Sequence, residues 1–200
     1  MKENIEFTGS DIFPNNSFVN DKKHISICGV DLEELANTYG TPLYVYDENT
    51  IVETIKDFQE SFTNELEDSV ISYSTKAFSN PYVLKILNDN GMNIDVVTGG
   101  ELAVAKYVKF PPAKINFHSN NKSLEELKEA INYGLGHITI DSFNEIENLR
   151  KITLESSIIQ NVMIRVSPSI DPHSHLLTTT GILDSKFGFS IETGDAEKAI

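Results

Sequence analysis

A strand-like run followed by a helix-like run recurs at nearly constant intervals along the chain, and this repeat limits the possible folds to a few. The strand-like runs begin near positions 43, 70, 93, 114, 137 and 161 of the 200-residue chain. They lie roughly 21 to 27 residues apart, the length of one strand, one helix and short loops. Such arrays form a (βα)8 barrel or a doubly wound sheet. Even spacing, and the absence of G-x-G-x-x-G and G-x-x-x-x-G-K-[ST] motifs, favour the barrel.

Helix-start signals follow the strand-like runs. The apolar residues of "ENTIVETIKDFQESF" recur at helical spacing after the predicted strand Leu43 to Tyr46. Later starts are signalled by Asn80 before Pro81 and by two capping boxes, Ser123-x-x-Glu126 and Ser142-x-x-Glu145. Glutamates near these starts, including Glu145 and Glu147, are expected on solvated helix faces.

Composition limits the location and the partners of the chain. With 16 Lys+Arg against 30 Asp+Glu, the formal charge of -14 argues against nucleic acid or an anionic membrane as a general partner. No run approaches the ~18 apolar residues of a membrane span, and the polar N-terminus does not resemble a signal peptide, so we expect a cytoplasmic protein. The single cysteine, Cys28, is expected to be a buried strand thiol.

The chain is shorter than a complete barrel. A (βα)8 barrel typically takes ~250 residues, whereas this sequence stops in "DAEKAI", within a helix-like pattern. We therefore expect an incomplete barrel, whose closing strands follow position 200.

Polar residues gather where the predicted strands end, which in barrels is the rim that carries the chemistry. They are Lys76, Asp95, Thr98, Gly99, Gly100, His118, Ser119, Asn120, Asp141, Arg165 and Ser167. A partly desolvated lysine loses pKa and attacks carbonyl groups, forming a Schiff base. Lys76 at such a rim is compatible both with an aldolase and with a pyridoxal phosphate enzyme, and its position alone does not separate the two.

Several motifs in order resemble the diaminopimelate decarboxylases, pyridoxal phosphate enzymes with the alanine racemase and ornithine decarboxylase type of fold. They are "GVDLEELANTYGTPLYVYD", "YSTKA", "NIDVVTGGEL", "HSNNKS" and "DPHSHLLTTTGILDSKFGF". The resemblance implies decarboxylation of meso-2,6-diaminopimelate to L-lysine and CO2, the last step of lysine biosynthesis, by a homodimer with active sites at the interface. It also implies that residues 41–200 form the first part of the cofactor-binding barrel. Residues 1–40 would be an N-terminal segment with a short strand that packs on a β-rich C-terminal domain.

The resemblance also implies roles for individual residues. Lys76 matches the lysine that forms the Schiff base with the cofactor, and Asp95 matches the acidic residue near it. His118 matches the histidine of the family's His-Gly-Asn-Asn-Lys block, and Arg165 the arginine of its Arg-Val-Asn-Pro block. The segment from Ser167 to Lys186 matches a connection that can act as a lid.

The sequence departs from the family pattern near these residues. Ser74, Phe78, Ser119 and Ser167 replace the family's alanine, asparagine, glycine and asparagine. None of these changes removes the lysine, but they leave open a sibling decarboxylase acting on ornithine, arginine or a related amino acid. The family's phosphate cradle, its partner for the pyridine nitrogen and its proton donor belong after position 200.

Two other classes of function remain open. His173-x-His175 in "DPHSH" is the kind of pair that binds zinc in some barrel hydrolases. In those hydrolases the pair follows the first strand, whereas here it follows the sixth, so we favour a polar lid and expect no metal. A non-enzymatic pyridoxal phosphate carrier that ends after its barrel is the other class.

Overall fold

A computed structural model describes residues 12–63, 66, 68–168, 170 and 187–200. The chain divides into two compact units, Met1–Ser69 and Val70–Ile200. Within these ranges, none of the helices is long and apolar enough to cross a membrane.

The first unit contains a small antiparallel sheet and two helices. Strands β1 (Ser17–Val19), β2 (Ile25–Ile27) and β3 (Val30–Asp31) pair in sequence order, and helices α1 (Leu32–Tyr39) and α2 (Glu48–Thr63) follow. Asp31 caps α1 by accepting hydrogen bonds from the backbone N–H groups of Glu33 and Glu34. Burial alone would raise the pKa of Asp31, but these bonds and those from Asn20 and His24 lower it to about 2.

Two predictions for the first unit are wrong. The run Leu43 to Tyr46 forms no strand, and its side chains are exposed. Cys28 is an exposed residue of the turn after β2, with φ +50°. A hydrogen bond to the Asp47 carboxylate raises the pKa of the Cys28 thiol, which makes it a poor nucleophile.

The second unit is built on a parallel sheet whose strands follow one another in sequence order. Strands β4 (Ser72–Ser74), β5 (Asn93–Val96), β6 (Ile115–His118), β7 (His137–Ile140) and β8 (Val162–Ile164) form one five-stranded sheet. A doubly wound sheet reverses its strand order at a switch point, whereas a (βα)8 barrel does not. The observed order is therefore that of a barrel segment.

A helix follows each of the first four strands of this sheet. The helices are α3 (Pro81–Asp89), α4 (Gly99–Tyr107), α5 (Leu124–Tyr133) and α6 (Phe143–Ser156), with a 3-10 turn at Pro112–Lys114 before β6. Asn80 caps α3, with Pro81 in its first turn, and the capping box of α5 is complete, as predicted. The box predicted for α6 is only half formed, because Ser142 accepts from the Glu145 N–H while the Glu145 side chain bonds elsewhere.

The two faces of the sheet differ in chemistry. Side chains that point toward the helices are apolar and almost fully buried: Ile94, Val96, Ile115, Phe117, Ile138 and Ile140. They pack with helix residues such as Leu84, Leu102 and Leu127, each 0% exposed, to form the core. The alternate positions carry polar side chains on the opposite face, which in a barrel is the interior.

A separate two-stranded sheet follows β8. After Arg165 the chain forms β9 (Val166–Ser167), which pairs in parallel with β10 (Phe189–Ser190), and α7 (Asp195–Lys198) follows. Gly188, just before β10, has φ +72°, and a Cβ there would lie 2.7 Å from the Arg165 carbonyl oxygen. Only glycine satisfies both the backbone conformation and this close approach.

Candidate active site

The polar face of the sheet lines a half-open cavity of about 550 Å³. Its polar lining comes from alternate positions of neighbouring strands: Ser72, Asn93, Asp95, Asn116, His118, His137, Thr139 and Arg165. Three of the four predicted site residues, Asp95, His118 and Arg165, therefore face one cavity. His118 and Arg165 lie at or just beyond the carboxyl ends of β6 and β8, where barrel chemistry is found.

Lys76 lies in the turn that directly follows β4, at the same edge of the sheet. Its side chain is exposed, and among the described residues no hydrogen bond or ion pair holds its amine. The preceding residue, Thr75, is fully buried, and its N–H donates to the Asp95 carbonyl oxygen at 3.0 Å. The turn is thus fixed by its backbone while the amine stays available.

Glu101, in the first turn of α4, anchors the turn that contains Thr75 and Lys76. Its carboxylate binds the Thr75 hydroxyl, which also lies 2.8 Å from the Asp95 carbonyl oxygen, and accepts from the Val97 N–H at 2.8 Å. This role could not be predicted from the sequence, because a glutamate in the first turn of a helix is ordinary.

Asp95 lies in the middle of the polar face. Its Oδ1 accepts hydrogen bonds from Ser72 Oγ at 3.0 Å and from Asn116 Nδ2 at 3.1 Å. Thr139 Oγ1 in turn donates to Asn116 Oδ1 at 3.0 Å. A row of hydrogen bonds therefore crosses four strands and holds the Asp95 carboxylate in place.

His118 has unused hydrogen-bonding capacity. Its Nε2 is buried and has no hydrogen-bond partner within the described part of the chain. Burial, followed by the positive charge of Arg165, lowers the pKa of His118, so its imidazole is neutral at pH 7. A neutral imidazole nitrogen that faces a cavity can donate to or accept from a ligand.

Arg165 is held on one side by Asp141, which follows β7, and on the other by Phe187, which precedes β10. Its Nη1 donates to Asp141 Oδ1 at 3.1 Å, and its guanidinium lies 4.4 Å from the centroid of the Phe187 ring. Asp141 Oδ2 accepts from the Gly188 N–H at 3.1 Å. Asp141, which is 5% exposed, therefore joins Arg165 to the start of β10.

A buried ion pair lies behind this rim. Lys122 Nζ and Glu145 Oε1 are 2.5 Å apart, with side chains 0% and 6% exposed. Burial lowers the pKa of Lys122, and the hydrogen bond and charge of Glu145 partly oppose this. The expectation that Glu145 lies on a solvated face is wrong, because its side chain turns inward to meet Lys122.

The glycines of "VTGGEL" have a structural use. The Gly99 N–H donates to Glu126 Oε1 at 2.7 Å, and a Cβ at Gly99 would lie 3.1 Å from that side chain. Glu126 also completes the capping box of α5 through Ser123. The Gly99 N–H thus serves to link the starts of α4 and α5.

Some predicted features lie outside the described residues. These are His173, His175 and nearly all of the proposed lid between Ser167 and Lys186. Within the described ranges, no cluster of three histidine, cysteine or acidic side chains is arranged to hold a metal ion.

The fold and the cavity belong to a known class. Residues 48–200 match the family model for the pyridoxal-binding domain of pyridoxal-dependent decarboxylases, and the chain belongs to this family.

Similar proteins carry a more specific name. The chain is 42% identical over 188 residues to a diaminopimelate decarboxylase of Bacillus methanolicus, covering 94% of this chain and 44% of that protein. It is 41% identical to the diaminopimelate decarboxylase of Bacillus subtilis, covering 90% of this chain and 41% of that protein. The crystal structure of the M. jannaschii diaminopimelate decarboxylase in complex with L-lysine superposes with a TM-score of 0.82 at 32% identity, covering 94% of this chain and 44% of that one.

These matches confirm two predictions, the family and the (βα)8 barrel, of which this chain forms part. The chain spans less than half the length of the relatives it matches.

The cavity and the adjoining edge of the sheet offer groups that fit pyridoxal phosphate, the cofactor that the family implies. Lys76, at that edge, would supply an exposed amine for the cofactor aldehyde, and His118 Nε2, in the cavity, is a buried polar atom without a partner among the described residues. Ser167 Oγ, on the strand that follows Arg165, is likewise buried and without a partner in that part of the chain. Together these groups would provide an accessible amine and unused hydrogen-bonding capacity for a polar aromatic aldehyde.

Proposed function

We propose that the full-length protein decarboxylates meso-2,6-diaminopimelate to L-lysine and CO2 with pyridoxal phosphate as cofactor. The observation that carries the proposal is the identity of 37–42% to diaminopimelate decarboxylases over most of the chain. The lysine bound in the M. jannaschii relative supports the same substrate class, since lysine is the product of this reaction.

The proposal assigns a role to each of the four site residues. When bound, the cofactor accepts the electrons of the bond to the departing carboxylate. Lys76 would hold the cofactor through its amine, and the same amine, when free, could give or take a proton at the reacting carbon of the substrate. Asp95 balances positive charge in the cavity with its carboxylate, which Ser72 and Asn116 hold in position.

His118 and Arg165 bind the cofactor from the carboxyl ends of their strands. His118 offers Nε2 as a hydrogen-bonding group without adding charge, because burial keeps the imidazole neutral. Arg165 brings a cation to the same cavity, and Asp141 and the Phe187 ring fix its orientation.

The assembly and location of the protein belong to the same proposal. We infer a cytoplasmic homodimer with active sites at the subunit interface, in which residues 1–40 pack on a β-rich C-terminal domain and residues 41–200 begin the barrel. The resemblance to the family supports this arrangement. Analytical ultracentrifugation of the full-length protein tests it, and a monomer that retains full activity would contradict it.

The cofactor assignment is tested by spectroscopy and chemical trapping. The full-length protein with pyridoxal phosphate is expected to absorb visible light, and borohydride is expected to bleach this band and leave a pyridoxyl group on Lys76, found by peptide mapping. Lys76→Arg should abolish the adduct. Lys85→Arg, at an exposed position of α3, is the matched control and should retain it. An adduct on another lysine would refute the assignment.

The substrate assignment requires a separate assay. CO2 release from meso-diaminopimelate is compared with release from ornithine, arginine and lysine under the same conditions. A preference for ornithine or arginine would replace the proposed substrate with that of a sibling decarboxylase and leave the cofactor assignment intact. Cofactor binding without release of CO2 from any of them would favour a carrier.

A further inference from the structure

The buried pair Lys122–Glu145 makes hydrogen bonds to backbone groups in addition to the ion pair itself. Lys122 Nζ donates to the Ser119 and Thr139 carbonyl oxygens, each at 2.8 Å, and to Glu145 Oε1. An ammonium has three donors, and all three are used. The Lys122 side chain therefore has one orientation, and it fixes Glu145 Oε1 in turn.

The second oxygen of Glu145 acts on the rim of the cavity. Glu145 Oε2 accepts from the backbone N–H of Asp141 at 3.1 Å. Asp141 is the first residue after β7, so this bond sets the direction in which the chain leaves the strand. The Asp141 side chain then binds Arg165 with one oxygen and the Gly188 N–H with the other.

Stability alone is a weak explanation for this arrangement. Burying two charges carries a desolvation cost that their attraction does not reliably repay, and apolar pairs of similar volume often serve as well. What an apolar pair lacks is an acceptor for the Asp141 N–H. The described contacts from Glu145 lead through Asp141 to Arg165, which lines the cavity.

We propose that Glu145 is a positioning residue for Arg165: oriented by buried Lys122, it holds the backbone of Asp141 so that the Asp141 carboxylate fixes the Arg165 guanidinium at the cofactor cavity. The inference rests on the proposed function, because it takes Arg165 to be a cofactor-binding residue. Glu145 itself does not line the cavity.

Two paired variants of the full-length protein separate positioning from general support of the fold. Lys122→Met/Glu145→Gln and Lys122→Met/Glu145→Met both remove the buried charges and both leave the Ser119 and Thr139 carbonyl oxygens without their donor. They differ in the polar groups at position 145: the glutamine retains an oxygen that accepts from the Asp141 N–H and adds an amide NH2, whereas the methionine offers neither. Glu147→Gln, at an exposed position of the same helix, is the control for the chemical change.

The first measurement is the dissociation constant of pyridoxal phosphate, by absorbance titration of the apo-protein. The methionine variant is expected to weaken binding by about fivefold, the scale of one lost hydrogen bond. The glutamine variant and the control should stay within about twofold of the starting protein. In an Arg165→Lys background the difference between the two paired variants should vanish, because the effect passes through Arg165. Equal affinity of the two paired variants, or an undiminished difference in that background, would overturn the proposal.

A second measurement needs no cofactor. The Gly188 N–H, which donates to Asp141 Oδ2, should exchange with solvent faster in the methionine variant than in the glutamine variant. Equal exchange rates would overturn the inference even where cofactor binding is normal. If the unsubstituted protein bound no pyridoxal phosphate, the proposed function would fail, and the exchange rates would still show whether Glu145 holds Asp141.

Discussion

Among the lysine–glutamate pairs of the described residues, two have nearly equal separations and very different burial, which allows a controlled test of what burial does. Lys122–Glu145 is separated by 2.5 Å with side chains 0% and 6% exposed. Lys106–Glu129 is separated by 2.6 Å with side chains 37% and 39% exposed. The perturbation is methionine at each position, singly and together, in both pairs.

A single substitution should lower the free energy of unfolding several-fold more in the buried pair than in the half-exposed pair. Removing one partner of the buried pair leaves an uncompensated buried charge and is expected to lower the free energy of unfolding by about 3–5 kcal/mol. Each single change in the half-exposed pair should cost no more than about 1 kcal/mol. In the buried double variant no charge remains, but the Ser119 and Thr139 carbonyl oxygens lose their donor and the Asp141 N–H loses its acceptor, at about 1 kcal/mol or more each. The double variant should therefore cost clearly less than the sum of its two singles.

Urea unfolding of the apo-protein, followed by circular dichroism, measures these free energies and the coupling within each pair. We expect a coupling of at least about 2 kcal/mol for the buried pair and under about 1 kcal/mol for the half-exposed pair. Equal couplings would refute the argument that burial separates them.

The pH dependence gives an independent check. Burial lowers the pKa of Lys122, and in Glu145→Met the opposing carboxylate is gone. Between the lowered pKa of Lys122 in the folded variant and the ordinary lysine pKa, the folded variant then binds fewer protons than its unfolded chain. Its free energy of unfolding should therefore rise with pH through that window. A flat profile would contradict this account.

Three further predictions concern the same unit. Gly136→Ala should destabilise the protein by several kcal/mol, because a Cβ there would lie 2.2 Å from the Ala113 carbonyl oxygen. Gly100→Ala is the control, since a Cβ there makes only an ordinary 3.6 Å contact. Urea unfolding should show the control to be neutral or slightly stabilising. NMR should show His118 titrating below its ordinary pKa. The free energy of unfolding should fall as the pH drops below about 6.5, since the unfolded chain then binds more protons than the folded one. His118→Gln should remove this pH dependence, and its persistence would point to another group. Ser123→Ala removes the side-chain cap of α5 and should cost about 1 kcal/mol, whereas Ser123→Asp should retain most of the stability; equal losses would contradict the capping argument.

The parts of the fold that local chemistry determines could be predicted from the sequence. Asn80 with Pro81 and Ser123 with Glu126 start helices through bonds within a few residues, and the structure contains both. The strands of the parallel sheet could be located because their buried face is apolar at every second position.

What depends on distant partners could not be read from the sequence. Leu43 to Tyr46 has the composition of a strand, but a strand also needs a neighbour's backbone, which composition does not supply. Glu145 stands in a capping-box pattern, yet its carboxylate binds Lys122, 23 residues away in sequence. Similarly, "ISICGV" shows that Cys28 follows apolar residues but not that the chain turns there with positive φ.

Because buried and cavity-facing positions alternate along the parallel strands, mutations at neighbouring positions are expected to affect different properties of the protein. One set of positions, typified by Ile94, Phe117 and Ile138, is occupied by fully buried apolar side chains, so changes there act on folding. The set between them, typified by Asn93, Asn116 and Thr139, faces the cavity. A library that varies only the cavity-facing set can alter which molecules the barrel accepts while the packing under the helices stays intact, so that selectivity and stability can be evolved almost separately on the same strands.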